Sequence, residues 1–177
     1  MSSLPEPSED SRDVEPLIPA EMAARIGEVV ASRTAVVEVK EFQRWAASVK
    51  DRNPLYFDAE VARANGHPDV PMPPMFLQQV ALGVADLDQL RPDGTAGTGN
   101  GNLSFPLCPR RMAGGENHTF LLSVYGGDVI TQERRIDSIV EKSGRSGRFV
   151  LVTWKTTYTN QRDELVAEST SSMIARP

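Results

Sequence analysis

The sequence predicts an α+β fold, an antiparallel sheet wrapped around one long central helix at about residues 73–90. Three observations carry that expectation. Helical periodicities come first along the chain and strand-like ones follow, so helices and sheet come from separate halves. Residues 73–90 are more apolar than any other helical stretch: Phe76, Val80, Val84 and Leu87 repeat at three and four, and Leu77, Ala81 and Leu82 widen the stripe. Finally, Val150, Val152, Trp154, Thr156 and Tyr158 alternate with increasingly polar neighbours, the pattern of an antiparallel strand with one covered face.

Each element has its own local reason. Residues 1–16 are rich in Ser, Pro, Glu and Asp without an apolar segment, and read as a disordered arm rather than a secretory signal. Residues 17–177 follow as a single domain. A short helix at 19–27 is stopped by Gly27, and the β-branched run 34–39 reads as a strand. Val39, Phe42, Trp45, Ala46 and Val49 form one helical stripe that ends at Asp51. Pro54 cannot continue that helix and biases Asn53 away from the α region. Asp58 then caps 59–65, and Gly66 ends it. Pro73 and Pro74 suit the first turn of the central helix. Residues 91–102 form a Gly/Thr/Asn/Asp loop long enough to suggest function. Strands are expected at 103–108, 116–124, 129–140, 149–159 and 165–174, with 160–164 a hairpin connection. No internal repeat is visible, so one such unit is expected.

Composition narrows the function. A chain of 177 residues, 40% apolar and 24% charged, has the make-up of an ordinary globular domain. It is long enough to bury about two-thirds of its unfolded surface. A net charge of −5 and a pI near 5.1 argue against nucleic acid, whose phosphates require a basic face. No apolar run approaches the roughly 18 residues of a membrane span, so no membrane is implied. A single cysteine, Cys108, rules out an internal disulfide and fits the reducing cytoplasm. Together with two histidines it cannot build a usual structural zinc site, and no metal is expected.

Function is most legible in the stretch Asp51-Arg52-Asn53-Pro54-Leu55-Tyr56, followed by Asp58, a short helix and Pro73-Pro74-Met75-Phe76. This arrangement resembles the MaoC-like dehydratases and (R)-specific enoyl hydratases of the hotdog superfamily, above all their FAS1-like dehydratase (MaoC N-terminal type) branch. The signature there runs Asp-x-Asn-Pro-(aliphatic)-His, and only the histidine is replaced, by Tyr56. Further blocks in the same order are Gly114-Gly115-Glu116-Asn117, Gly126-Gly127-Asp128-Val129, Gly144-Arg145-Ser146-Gly147 and Tyr158-Thr159-Asn160-Gln161. The resemblance covers roughly 19–174 and implies one hotdog domain. A second departure is Leu122-Ser123, where the family often shows Arg-Pro.

The resemblance implies interconversion of (R)-3-hydroxyacyl and trans-2-enoyl thioesters carried on coenzyme A or acyl carrier protein, with no metal or redox cofactor. It makes Asp51 the catalytic aspartate, puts Tyr56 in the histidine's place, and makes Asn53 a structural or substrate-side amide. Pro74, Phe76 and the loop glycines Gly97 and Gly99 are substrate-binding candidates. Gly97 to Gly101 lacks the flanking strand, helix and lysine of a phosphate loop. Arg110, Arg111 and Arg148 could meet carrier-side phosphates or an acidic carrier protein.

A histidine titrating near neutrality suits the two proton transfers of this reaction. An ordinary phenol titrates near 10, so base work at pH 7 would need a shift of roughly three units, about 4 kcal/mol. The sequence therefore points to the catalytically degenerate half of a heterodimer whose homologous hotdog partner carries an intact Asp/His pair. Two alternatives stand beside it: a self-sufficient catalyst using Asp51 with Tyr56, and a non-catalytic acyl-thioester-binding hotdog. Ordinary roles compete at every position. Asp51 could bond only local backbone, Tyr56 could be a core aromatic, and His67, between Gly66 and Pro68, reads as a solvent-facing loop residue. His118 reads as a strand pairing residue.

Overall fold

The chain is described by a computed structural model for residues 15–80, 82, 87–89 and 103–177. Most of the expected N-terminal arm, and the 91–102 loop with Gly97 and Gly99, lie outside the described residues.

Among the described residues one sheet contains five antiparallel strands: β1 (Val29–Val36), β2 (Arg110–Phe120), β3 (Val129–Gly144), β4 (Gly147–Thr159) and β5 (Leu165–Arg176), in the order β1-β3-β4-β5-β2. The expected alternation holds along β4, where Val150, Val152, Trp154, Thr156 and Tyr158 are all buried. The turn into β5 is self-bonded: Asn160 accepts on Oδ1 from the N–H groups of Arg162 and Glu164, while Asp163 sits at φ 58.

Helices cover one end of this face. α1 (Ala20–Ala23) packs through Met22 at the opposite end, and the covering elements are α2 (Val39–Ser48), α3 (Ala59–Ala64) and a 3₁₀ turn at Pro74–Phe76 that runs into α4 (Leu77–Val80). Phe42 on α2, Ala62 on α3, and Phe76 and Leu77 bury against Ile130, Tyr158, Val166 and Ala167 of the sheet. Phe76 meets Phe42 and Trp45 ring to ring, at 6.4 and 5.8 Å. At the other end Leu17, Leu103, Phe105 and Cys108 close over Ile136, Val150, Val152 and Ala175. Gly126 permits the close approach of α2 to the sheet, because a Cβ there would lie 2.3 Å from a methyl of Val39.

Three expectations need correction. Within 73–90 the described residues are helical only from Pro74 to Val80 and, separately, in a 3₁₀ turn at Leu87–Gln89. Leu82 and Leu87 are exposed, not part of the core stripe. The Leu82 carbonyl accepts from Nη1 of Arg33 at 2.8 Å, and the next residue in the sequence is a glycine, a poor helix former. Residues 103–108 are no strand, although Leu103, Phe105 and Cys108 are buried, since Pro106 and Pro109 have no N–H to give a ladder. Strand bounds also shift: β1 starts at Val29 and ends before Val39, which opens α2, while β2 runs from Arg110 only to Phe120.

Candidate active site

The Asp51–Asp58 stretch is shaped by its own side chains. Helix α2 ends with Lys50 at φ 62, and the Asp51 N–H returns to the Ala46 carbonyl at 2.9 Å. Asp51 Oδ1 accepts from the Asn53 N–H at 3.1 Å, and Asn53 Oδ1 accepts from the Leu55 N–H at 3.1 Å. The second bond caps the 3₁₀ turn Pro54–Tyr56, with Pro54 at its first position. Gln43 Nε2 ties the Tyr56 carbonyl to α2 at 2.9 Å, and Asp58 caps α3 through the N–H groups of Glu60 and Val61. A short amide and two carboxylates thereby fix the path that presents Tyr56.

Tyr56 lines a cavity of about 290 Å³ with Leu55, His67, Pro74, Leu77 and the segment from Phe120 to Val124. This cleft lies at the end of the sheet where β2 finishes and α3 and the 74–80 helix come together. Asp51 and Asn53 are half-buried and do not line it. Pro74 lines it, whereas Phe76 is in the aromatic core and is 6% exposed. Phe76 packs against Phe42 and Trp45 and is not among the residues that line the cleft.

The arginines occupy the opposite end of the sheet. Arg110 Nε donates to the Pro177 carbonyl at 2.8 Å, and Arg111 Nη2 donates to the Leu103 carbonyl at 2.5 Å. Arg148 pairs with Glu141 and donates to the Glu15 carbonyl. From Arg111 to Phe120 along β2 is nine residues, roughly 30 Å. Within one chain these cations and the Tyr56 cleft are not brought together.

His67 was hidden from sequence reasoning. Instead of facing solvent it lines the Tyr56 cleft, with Nδ1 3.0 Å from the Tyr125 hydroxyl and the two rings edge to face at 6.2 Å. The signal lay partly in Gly66: at φ 86 it ends α3, and the His67 N–H returns to the Ala62 carbonyl, turning the chain back toward the sheet. Nothing local announces Tyr125, which arrives through the Pro71–Tyr125 bridge and the bond from the Met72 N–H to the Val124 carbonyl.

The family described as "FAS1-like, dehydratase domain region" matches residues 24–169, a span that holds both the Asp51–Tyr56 stretch and the cleft. The chain belongs to this dehydratase family. Its likeness to a UPF0336 protein of Parafrankia sp. is 33% identity over 137 residues, covering 77% of this chain and 82% of the relative. A Thermomonospora curvata protein described as "Probable enoyl-CoA hydratase alpha subunit" is 31% identical over 137 residues, 74% of this chain and 42% of that one. Among solved structures, a chain of the ChsH1-ChsH2 complex from Mycobacterium tuberculosis superposes with a TM-score of 0.67 at 22% identity, covering 89% of this chain and 88% of that chain. At that identity the superposition establishes the fold. The fold is the one found in solved MaoC-like dehydratases, the hotdog that the motif blocks implied. Among the described residues no helix is long and apolar enough to cross a membrane.

Proposed function

We propose that this chain is one subunit of a 3-hydroxyacyl-thioester dehydratase or enoyl-thioester hydratase, and that a homologous partner supplies the proton-shuttling imidazole. The observation that carries the reading is Tyr56 on the cleft wall, a phenol at the position where the motif resemblance leads one to expect histidine. The reaction removes the proton beside the thioester carbonyl and delivers a proton to the departing hydroxyl, which leaves as water. A phenol donates well and accepts poorly, so it serves one of these transfers and not both. Asp51 already holds the Asn53 N–H and supports the turn, and in this reading that is its main work.

The sheet favours such a partner. Among the described residues β2 is an 11-residue edge strand, and Met112, Phe120, Leu121 and Leu122 along and just beyond it are exposed. A long uncovered edge beside apolar side chains is a template for pairing with another strand. Antiparallel pairing of two such edges would set Arg110 and Arg111 of one subunit beside the cleft of the other. That supports a carrier-side role for these cations across the seam, toward coenzyme A or an acidic carrier protein in the cytoplasm.

The test is hydration of crotonyl-coenzyme A by the purified chain. The reading expects turnover at background for the chain alone, and a gain of at least tenfold in Tyr56→His. Brisk turnover by the unmodified chain would refute it.

One observation favours a second reading, in which the chain is self-sufficient: His67 places an imidazole on the same cleft wall, oriented by Tyr125. Activity of the lone chain that disappears in His67→Gln would establish this alternative.

A further inference from the structure

On the covered face of the sheet, between the two apolar clusters, a polar belt crosses the strands. Arg134 on β3 is paired across the ladder with Thr156 on β4, Thr156 with Ser169 on β5, and Ser169 with His118 on β2. The belt floors a second cavity of about 300 Å³, walled by Gln78, Gln132, Tyr158 and Ser171. This cavity lies beside the 74–80 helix, which gives Leu77 to the Tyr56 cleft and Gln78 to the belt.

Arg134 is out of place for a structural residue. Its guanidinium stacks over the Trp154 ring at 4.4 Å, and Nη2 reaches Ser171 Oγ at 3.3 Å. Nε is buried without a hydrogen-bond partner, and among the described residues no carboxylate pairs with the group. Burial holds its pKa below the ordinary arginine value, and burial likewise raises that of Tyr158 beside it. The one carboxylate on the cavity wall, Glu116, is turned to the rim, where it meets Gln78 and His118 and its side chain is 57% exposed. A second guanidinium, Arg33, also lines the wall and is bonded to the Leu82 carbonyl. Buried charges are normally paired, and Arg134 lines this cavity with no carboxylate against it among the described residues. The planar guanidinium matches a carboxylate with two parallel bonds.

We infer that this cavity binds a carboxylate, carried at the far end of the acyl group that the enzyme processes. Arg134 pairs with it, and the hydroxyls of Thr156, Tyr158, Ser169 and Ser171 donate around it. The identity of the acyl group rests on the thioester reading above; the charge it carries rests on the cavity alone. An all-hydrocarbon tail would leave the Arg134 guanidinium without a counter-charge beside a floor of hydroxyls, and fits it poorly.

Calorimetric titration of the full chain with hexanoate and with hexanamide, equal in size and different in charge, tests the site without any thioester. The expected result is binding of hexanoate at least tenfold tighter, with the preference lost in Arg134→Gln and partly kept in Arg134→Lys. Equal affinities for the two ligands, or an unchanged preference in a folded Arg134→Gln, would overturn the inference. If Arg134→Gln does not fold, the comparison of ligands on the unmodified chain decides alone. A hexanoate preference in a chain that processes no thioester, alone or with a partner, would retain the site and discard the thioester reading.

Discussion

Replacing Phe76 by alanine separates a core role from a substrate role in a residue that the motif placed near substrate. The ring is 6% exposed, in edge contact with Phe42 at 65° and tilted at 58° against Trp45. Truncating a buried phenylalanine costs about 3–5 kcal/mol, and each lost aromatic pair adds roughly 0.5–1.5 kcal/mol beyond area alone. With two pairs lost, about 4–8 kcal/mol is expected, which lowers Tm by roughly 8–32 °C in a domain of this size. Phe76→Leu, which keeps most of the volume, should lose less than about 1.5 kcal/mol. Urea unfolding followed by the fluorescence of Trp45 and Trp154 together measures both variants. A loss below about 1 kcal/mol in Phe76→Ala would show that the aromatic core is not what holds the 74–80 helix in place.

Other perturbations probe the rest of the account. Asn160→Ala leaves two backbone N–H groups of the β4–β5 turn without their acceptor and should cost about 1–3 kcal/mol in urea unfolding. Gly126→Ala forces a Cβ against Val39 and should cost about 1–3 kcal/mol by the same measurement. Glu141 is held below the usual carboxylate range, first by Arg148 and then by the Leu17 N–H. A lowered folded pKa gives stability that is present above the ordinary carboxylate value and is lost as pH falls through the lowered one. The Tm gap between the native chain and Glu141→Gln should therefore be full at pH 6–7 and close as the pH falls below about 4. Leu122→Glu puts a charge beside the exposed end of β2 and should shift native mass toward monomer without changing the circular dichroism spectrum.

Where residues act on near neighbours, the sequence was a reliable guide. Asp58 caps α3 as expected, the α2 stripe buries Phe42 and Ala46, and β4 alternates through five buried positions because a pleated strand has a strict period of two. Expectations failed where periodicity competed with long-range bonding. Leu82 and Leu87 keep the helical spacing, yet both are exposed, and Arg33, 49 residues upstream, takes the Leu82 carbonyl. Two prolines outweighed the apolar run at 103–108. Of the candidate residues, Tyr56 and Pro74 line the cleft, both positioned by the local Asn-Pro and Pro-Pro geometry. His67 and Arg134 were not legible, since their surroundings are assembled from strands far away in sequence. An arginine on a strand looks solvated until the opposing residues are known.

The central claim is that reactivity comes from a second subunit, and co-expression with a hotdog partner bearing the full Asp-x-Asn-Pro-x-His sequence tests it most directly. Native mass should show a mixed dimer, and crotonyl-thioester hydration by that complex should exceed either chain alone by at least tenfold and vanish when the partner's histidine is removed. Full activity from this chain alone, unaffected by the partner, would contradict the account.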